Sequence, residues 1–283
     1  MNDPANSGDF LAAMGESSRQ RVSLARAQLA DAEILARAED TPVPPRLQLS
    51  SRRFDVIAEV KFRSPAAGQL RAGSEEHVNA RVAGYAEAGA AAVSVLTEPS
   101  RFDGTLAHLK TAVRALAGRI PAMRKDFLVD PYQVCEARLF GAGGVLLIMR
   151  LLDDAQCAAL IECAVRLKMF VLLECFDEAD IKRGSAIVKQ YRQSAQLLVG
   201  VNCRDLATLE VVPGRLEELV KALPDNVPRV AESGVTTAQD AGRLAIAGYD
   251  VALVGSALMD ALEPLPLVRS MLSTARAERA RRS

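Results

Sequence analysis

The chain of 283 residues is 49% hydrophobic and 25% charged, a composition typical of a globular protein with a large buried core. Its formal net charge is zero, so no overall positive field attracts nucleic acid or an anionic membrane, and any anion must bind at a local site. The amino terminus lacks the apolar stretch of a signal peptide, and no later segment approaches ~18 consecutive apolar residues. We therefore expect a cytoplasmic protein that binds neither nucleic acid nor membranes.

The amino-terminal segment has the spacing of an amphipathic helix. Apolar side chains between residues 9 and 39 recur roughly on one side, and the sequence TPVPPR then ends the helix. We expect residues 1–50 to form a helical extension and linker that caps the domain behind it.

Eight short apolar runs follow, separated by segments with helical spacing. The runs are FDVIAEV from Phe54, AAVSVL from Ala91, IPAMRKD from Ile120, GGVLLIM from Gly143, FVLLEC from Phe170, LLVGVN from Leu197, RVAES from Arg229 and VALVGS from Val251. Continuously apolar strands indicate a sheet covered on both faces, and the alternation with helices makes that sheet parallel. We predict the α/β class, with a single (β/α)8 TIM barrel over residues 51–275. A doubly wound open sheet is the alternative, disfavoured because no GxGxxG follows the first strand.

The last residues, 276–283, are predicted to be a basic tail, the frayed end of the final helix, with arginines that suit the carboxyl-terminal end of a helix dipole. A basic docking tail is the alternative. The five cysteines, which form no CxxC pair, are expected to be buried thiols instead of a disulfide framework or a zinc site: Cys135, Cys157, Cys163, Cys175 and Cys203. With only His77 and His108, both in predicted helices, we expect no histidine-based metal centre.

Polar residues interrupt the apolar strands near their carboxyl ends, where the residues of a TIM barrel face the active site. Strand 1 ends in Glu59 and Lys61, which point to the same side, strand 3 in Lys125 and strand 5 in Glu174. Strands 6 and 7 add Asn202 and the pair Glu232 and Ser233. Desolvating so many charges costs several kcal/mol each unless they pair or meet a polar ligand, so we expect them to surround a substrate.

The loops after strands 7 and 8, ESGVTTAQD and LVGSALMD, place Ser and Gly where a strand gives way to a helix. In many barrels this corner binds phosphate through backbone N–H groups. Gly234, Gly255 and Ser256 are therefore candidate phosphate-binding residues, with tight-turn glycines as the alternative. Lys61 is a candidate countercharge.

Two long motifs carry a family resemblance. IAEVKFRSPAAG and RKDFLVDPYQVCEAR resemble the signature segments of the indole-3-glycerol phosphate synthase family of tryptophan biosynthesis. The segments SVLTEPSRFDGTLAHL, LLECFDEADI, VGVNCRDLATLEV, VAESGV and ALVGSALM follow in the family order, so the resemblance covers residues 10 to 270.

The resemblance implies a lyase that closes the ring of 1-(2-carboxyphenylamino)-1-deoxyribulose 5-phosphate and releases carbon dioxide and water, without a cofactor or metal. Lys125 matches the lysine that protonates the keto oxygen of this phosphorylated substrate. Glu174, Glu59 and Lys61 match the positions that act in dehydration. Two proton-transfer steps account for several ionisable groups in one site.

Other residues match positions that bind the substrate. Asn202 and Arg204 match binding positions, and Glu232 and Ser233 match the rim of strand 7. Phe102, Phe127 and Leu128 are expected to flank the aromatic ring, with ordinary core packing as the alternative. Ser64 is expected either to meet the substrate carboxylate or to turn the loop before Pro65.

The sequence departs from the family pattern in three places. In the loop after strand 1, Ala66 stands where the family usually has a basic or small polar residue, Ala67 where it usually has a basic residue, and Phe62 where a basic residue is common. At the end of strand 5, Cys175-Phe176 replaces a Val-His pair, and after strand 6 Cys203 replaces an Asn. These changes leave open a divergent paralogue that acts on a related phosphorylated sugar adduct.

Two further alternatives are a phosphoribosylanthranilate isomerase and a non-catalytic barrel that serves as a partner in a pathway complex. The resemblance makes phosphoribosylanthranilate isomerase and tryptophan synthase possible partners, and we expect the protein to be a monomer.

Overall fold

The computed structural model of the protein describes residues 7–50, 54–64, 68–69, 75–205 and 208–282, with side chains for all of these except 7–9, 64, 69, 75–77 and 282. No helix in these ranges is both long enough and apolar enough to span a membrane.

Eight parallel strands close into a barrel, which confirms the predicted fold class. They are β1 (Asp55–Val60), β2 (Ala92–Leu96), β3 (Ala122–Lys125), β4 (Gly144–Ile148), β5 (Phe170–Cys175), β6 (Leu197–Asn202), β7 (Arg229–Glu232) and β8 (Val251–Val254). Each strand pairs with the next, and β1 pairs with both β2 and β8, so that Ile57 lies opposite Ala92 and Asp55 opposite Val251. An open doubly wound sheet has two unpaired edges, and this closed ring has none.

Helices follow the strands around the outside of the barrel. In chain order they are α1 (Ser7–Gln28), α2 (Asp31–Asp40), α3 (Glu75–Ala88), α4 (Pro99–Phe102), α5 (Leu106–Leu116), α6 (Pro131–Leu139), α7 (Asp154–Arg166), α8 (Glu178–Tyr191), α9 (Arg215–Leu219), α10 (Ala238–Ala247), α11 (Ser256–Asp260) and α12 (Pro264–Arg282). Single 3-10 turns cover Met149–Leu151 and Val220–Ala222, and a two-stranded antiparallel sheet joins Arg63–Ser64 to Gly68–Gln69.

The strand residues alternate between two cores. One set packs outward against the helices, and includes Val56 and Val93, whereas the other fills the barrel interior, and includes Ile57 and Phe170. Gly144 makes room for the ring of Phe170, since a Cβ at that position would lie 2.3 Å from a ring carbon. The amino-terminal half of the barrel interior is therefore filled largely by apolar side chains, and Glu59, Lys125, Glu174 and Glu232 lie near the carboxyl-terminal ends of their strands.

The amino-terminal extension consists of two helices, not one continuous helix, because Leu29 and Ala30 interrupt the pattern between α1 and α2. Leu11 and Met14 of α1 pack with the barrel-interior cluster, and Leu47 of the linker joins the same cluster. Gln196, just before β6, donates a hydrogen bond to the carbonyl oxygen of Leu47 at 2.8 Å. Residues 7–50 therefore cover the barrel from both ends.

The basic carboxyl-terminal segment continues helix α12 as far as Arg282, beyond the predicted boundary at residue 275. Arg276 forms an ion pair with Asp55 at 2.9 Å, and Arg279 forms one with Asp250 at 2.7 Å. The segment is therefore part of the barrel's last helix, because its arginines bind residues at the start of β1 and just before β8.

Replacing Phe170 by alanine is expected to lower the free energy of unfolding by about 3–5 kcal/mol, because a ring that is 2% exposed would leave a cavity in the barrel interior. Urea denaturation followed by circular dichroism measures the loss. Leu262→Ala is the control, because this side chain is 92% exposed and its truncation should change stability by no more than about 0.5 kcal/mol. Equal losses in the two variants would contradict the interior packing.

Candidate active site

A single cavity at the carboxyl ends of the strands brings together most of the predicted site residues. Twelve of them line it: Glu59, Lys61, Phe102, Lys125, Phe127, Glu174, Asn202, Arg204, Ser233, Gly234, Gly255 and Ser256. Glu232 is fully buried beside Lys125. The side chain of Ser64, and the whole of Ala66 and Ala67, lie outside the described residues.

Lys125 sits among carboxylates that come from three other strands. Its Nζ lies 3.6 Å from Oε2 of Glu59 and 3.3 Å from Oε2 of Glu232. Burial disfavours the ammonium form, but the charges of Glu174, Glu59 and Glu232 outweigh burial and raise the pKa of Lys125 above its ordinary value. Lys125 is therefore a protonated donor that points into the cavity from β3.

The charges around Lys125 do not balance, because three carboxylates face only two ammonium groups, those of Lys61 and Lys125. Glu232 carries the excess: its side chain is fully buried, and its Oε1 has no hydrogen-bond partner. Burial, followed by the negative charge of Glu174, raises the pKa of Glu232 to about 8. Glu59 behaves in the opposite way: despite its burial, Lys61 and Lys125 lower its pKa. Of the two carboxyl groups, Glu232 therefore holds a proton more readily and Glu59 favours the ionised form.

Glu174 and Asn202 form a second polar pair on the adjacent strands β5 and β6. The side-chain amide of Asn202 donates a hydrogen bond to Oε1 of Glu174, and Oδ1 of Asn202 accepts one from the backbone N–H of Arg204 at 2.9 Å. Arg204 in turn donates to the carbonyl oxygen of Leu209. The carboxylate of Glu174 is therefore held in one orientation at the mouth of the barrel.

Lys61 lies where β1 meets the loops after β7 and β8. Its Nζ is 2.9 Å from Oε1 of Glu59, and both side chains occupy the space above Gly255. A Cβ at Gly255 would approach Oε1 of Glu59 to 2.2 Å and Nζ of Lys61 to 2.9 Å. Ser233 and Gly234 both adopt positive φ angles, 68° and 69°, so the β7 loop turns sharply along the cavity wall. Position 255 therefore needs glycine so that Glu59 and Lys61 can pack against it, independently of its candidate role in phosphate binding.

Aromatic rings form one wall of the cavity. The ring centroids of Phe102 and Phe127 are 6.2 Å apart, and Phe10 of α1 packs edge-on to Phe127 at 5.9 Å. Sequence reasoning placed Phe10 on the apolar side of a capping helix but did not assign it to the site, because its separation of 117 residues from Phe127 gives no pairing signal. Leu128, in contrast, packs in the outer core and does not line the cavity.

Asp126, which follows Lys125 directly, anchors this end of β3. It binds Arg21 of α1 through both carboxylate oxygens, at 2.8 and 2.9 Å, and Arg124 at 3.0 Å. Although burial disfavours its charge, Arg124 and Arg21 hold the pKa of Asp126 well below its ordinary value. Ser18 of α1 adds a hydrogen bond to the carbonyl oxygen of Phe127. These contacts attach the amino-terminal extension to the end of β3 that carries Lys125. The sequence pattern did not predict this role of Asp126.

Among the described residues that depart from the family pattern, Phe62, Cys175 and Cys203 are buried, whereas Phe176 lines the cavity. Phe62 is 2% exposed and its ring lies 4.8 Å from that of His108, so this position contributes no charge to the cavity. Cys175 and Cys203 are buried, and burial raises the pKa of Cys203 to about 11. Among the described residues, no three His, Cys, Asp or Glu side chains are grouped so as to hold a metal ion.

Comparison with known proteins gives a consistent result. Residues 12–271 match the family model described as indole-3-glycerol phosphate synthase. The chain is 43% identical to an indole-3-glycerol phosphate synthase of Micrococcus luteus, over 85% of this chain and 86% of that protein. It is 37% identical to one of Opitutus terrae, over 90% of this chain and 95% of that protein.

Solved structures with lower sequence identity share the fold alone. A 3-hexulose-6-phosphate synthase from Salmonella typhimurium has a TM-score of 0.59 at 14% identity, over 80% of this chain and 100% of that chain. An orotidine 5'-phosphate decarboxylase from Pyrococcus horikoshii has a TM-score of 0.56 at 11% identity, over 78% of this chain and 99% of that chain. These likenesses support the barrel architecture.

Glu232→Gln is expected to gain stability relative to the parent chain as the pH rises from about 4.3, the ordinary glutamate pKa, to about 8. In that window the folded protein retains a proton on Glu232 that the unfolded chain releases, so the free energy of unfolding of the parent falls as pH increases. The glutamine variant lacks this titration, and the relative gain should be on the order of a few kcal/mol.

Urea denaturation at about pH 5 and about pH 8 measures this difference. Glu263→Gln, an exposed glutamate, is the control and should follow the parent chain at both pH values. A stability difference between Glu232→Gln and the parent that does not change with pH would contradict the assignment of the proton.

Proposed function

The chain belongs to the indole-3-glycerol phosphate synthase family, and we propose that it converts 1-(2-carboxyphenylamino)-1-deoxyribulose 5-phosphate to indole-3-glycerol phosphate, carbon dioxide and water. The observation that carries this proposal is the position of Lys125, an ammonium group buried among carboxylates at the catalytic end of a barrel. The reaction breaks a carbon–carbon bond to release carbon dioxide, and we therefore assign the enzyme to the carboxy-lyases.

Lys125 is the proposed acid for ring closure. As its Nζ donates a proton to the keto oxygen of the substrate, the ring carbon that bears the carboxylate attacks the former keto carbon. Loss of carbon dioxide from that ring carbon then restores aromaticity. Glu59 and Glu232, within 3.6 and 3.3 Å of Nζ, orient the ammonium group toward the cavity.

Dehydration of the closed ring needs a base and a second acid. We propose that Glu174, held by Asn202, accepts the proton and that Lys61, paired with Glu59, donates one to the leaving hydroxyl. Each lysine then acts as the acid in one step: Lys125, at the end of β3, in ring closure, and Lys61, directly after β1, in dehydration. A positioned acid or base contributes roughly 10²–10⁴-fold to such steps.

The remaining contacts of the substrate follow from the chemistry of the cavity walls. We propose that Phe102 and Phe127 flank the aromatic ring, and that Ser233, Gly234, Gly255 and Ser256 bind the phosphate with Lys61 nearby. Asn202, Arg204 and Glu232 are the proposed polar partners of the carboxylate and hydroxyl groups, and Ser64 stays a candidate for the carboxylate.

Cytoplasmic location, a monomeric state and contacts with phosphoribosylanthranilate isomerase or tryptophan synthase stay predictions of the sequence. The competing functions are also testable. A paralogue would prefer a related phosphorylated sugar adduct, an isomerase would turn over phosphoribosylanthranilate, and a non-catalytic barrel would bind the substrate without product. Side-by-side assays with calorimetry separate the three, and indole fluorescence reports the proposed product.

Lys125→Ala is expected to lower kcat/KM by at least about 10²-fold, since the substitution removes the ring-closure acid. The assay follows indole fluorescence in the presence of a chelator, because the proposed chemistry uses no metal. Lys110→Ala is the matched control: it removes an exposed lysine on α5 and should retain full activity. Unimpaired turnover in Lys125→Ala would refute the assigned acid.

Gly255→Ala is expected to lower kcat by roughly 10²-fold, because its Cβ would displace Oε1 of Glu59 and Nζ of Lys61. Steady-state kinetics measures the loss, and circular dichroism checks that the barrel is folded. Gly184→Ala in α8 is the control, because a Cβ there meets its nearest neighbour, Sγ of Cys175, at an ordinary 3.5 Å. If both alanine variants kept parental kcat, the proposed packing of the catalytic pair on Gly255 would be wrong.

A further inference from the structure

Two thiols that are separated by 28 positions in sequence meet on the outer surface of the barrel. Sγ of Cys135 on α6 and Sγ of Cys163 on α7 are 3.6 Å apart. Cys135 is buried and Cys163 is partly exposed, and neither lines the active-site cavity. The sequence predicted buried thiols, and the packing of α6 against α7 brings two of the cysteines together.

The two sulfur atoms of this pair are in non-bonded contact. A disulfide needs a sulfur–sulfur distance of about 2.05 Å, so the two atoms would have to approach by only about 1.5 Å. Sγ of Cys163 also lies 3.6 Å from the carbonyl oxygen of Pro131, so this sulfur is on the α6 side.

We propose that Cys135 and Cys163 are an oxidation site that reacts with hydrogen peroxide and closes to a reversible intramolecular disulfide. The thiolate of Cys135 attacks one peroxide oxygen, the O–O bond breaks, and the departing hydroxide takes up a proton to form water. The thiol of Cys163 then attacks Sγ of the resulting sulfenic acid, the S–O bond breaks, and the departing hydroxide takes up the Cys163 proton and leaves as a second water. Two thiols and one peroxide thus give one disulfide and two waters.

The surroundings favour the thiolate form at Cys135, whereas the hydrogen bond with Cys135 and burial raise the pKa of Cys163 above its ordinary value. The hydrogen bond from Cys163 lowers the pKa of Cys135 against the effect of burial, and Arg166, one turn beyond Cys163, adds a positive charge. Asp31 acts in the opposite direction on Cys135 but more weakly than Arg166. In contrast, burial raises the pKa of Cys157 to about 11, and this thiol has no cysteine partner among the described contacts. A thiol of lowered pKa with a second thiol 3.6 Å away is the arrangement that a peroxide-driven disulfide requires.

The disulfide would fasten the helix that supports the catalytic strand. Gln133 and Glu136 of α6 flank Cys135 and bind the guanidinium of Arg124, through a carbonyl oxygen at 3.0 Å and a carboxylate at 2.7 Å. Arg124 precedes Lys125 on β3. A covalent link between α6 and α7 therefore restrains the side of the barrel on which Lys125 is mounted, without contacting the substrate cavity.

The test uses the full-length, fully reduced protein treated with a small molar excess of hydrogen peroxide. Non-reducing digestion and mass spectrometry should find the peptides containing Cys135 and Cys163 linked, with two hydrogens lost, and dithiothreitol should separate them. The oxidised protein should melt about 5 °C above the reduced form, because the bond closes a long loop of the unfolded chain. Cys135→Ser and Cys163→Ser should each abolish the link and the shift, and Cys157→Ser should retain both.

These readouts are independent of turnover, so the proposal stands or falls separately from the enzymatic activity. Linkage of the same two peptides in the parent and in Cys157→Ser, and in neither of the other variants, supports the site. Oxidation of the thiols to sulfinic acids without a link, or a link through any other cysteine, overturns it.

Discussion

The ammonium group of Lys125 is the feature on which the rest of the site depends. It is surrounded by carboxylates from β1, β5 and β7, and each of these charges would be costly to bury alone, by several kcal/mol. The ammonium groups of Lys61 and Lys125 stabilise these three carboxylates only in part, because the carboxylates outnumber them. Glu232, whose pKa is raised to about 8, therefore retains a proton at lower pH. The barrel stays folded despite these destabilising buried charges because its other half is stabilised by apolar side chains packed around Phe170.

The extension before the barrel also serves this layer. Arg21 and Ser18 of α1 bind the two residues after Lys125, and Phe10 of the same helix completes the aromatic wall. Arg124 closes the network from within β3. A buried carboxylate with two guanidinium partners is strongly directional, because each planar fork fixes both the distance and the plane of the contact. Arg21 of α1 and Arg124 of β3 therefore both hold Asp126 at the end of β3, and this limits the movement of Lys125.

Much of the fold and part of the site could be predicted from the sequence. The regular alternation of apolar runs and helical segments predicted the barrel, because each strand is buried on both faces by neighbours that are local in the chain. Charged residues at strand ends predicted that Glu59, Lys125 and Glu174 lie in one cavity, as they do, because the carboxyl ends of the strands meet at one end of a barrel. The break at Leu29 and the arginine anchors of α12 were missed, since both depend on surfaces that the helices meet only after folding.

The amino-acid sequence alone thus determined the architecture and the chemical groups at the mouth of the barrel, since periodicity and strand-end position are properties of the chain itself. Tertiary structure alone decided which carboxylates contact Lys125, which aromatic ring from α1 joins the cavity wall, and which thiols become neighbours. These outcomes depend on distances of 3 to 6 Å between residues that are up to 117 positions apart. Electrostatic coupling and packing act over such short distances in space, and spacing along the chain does not encode them.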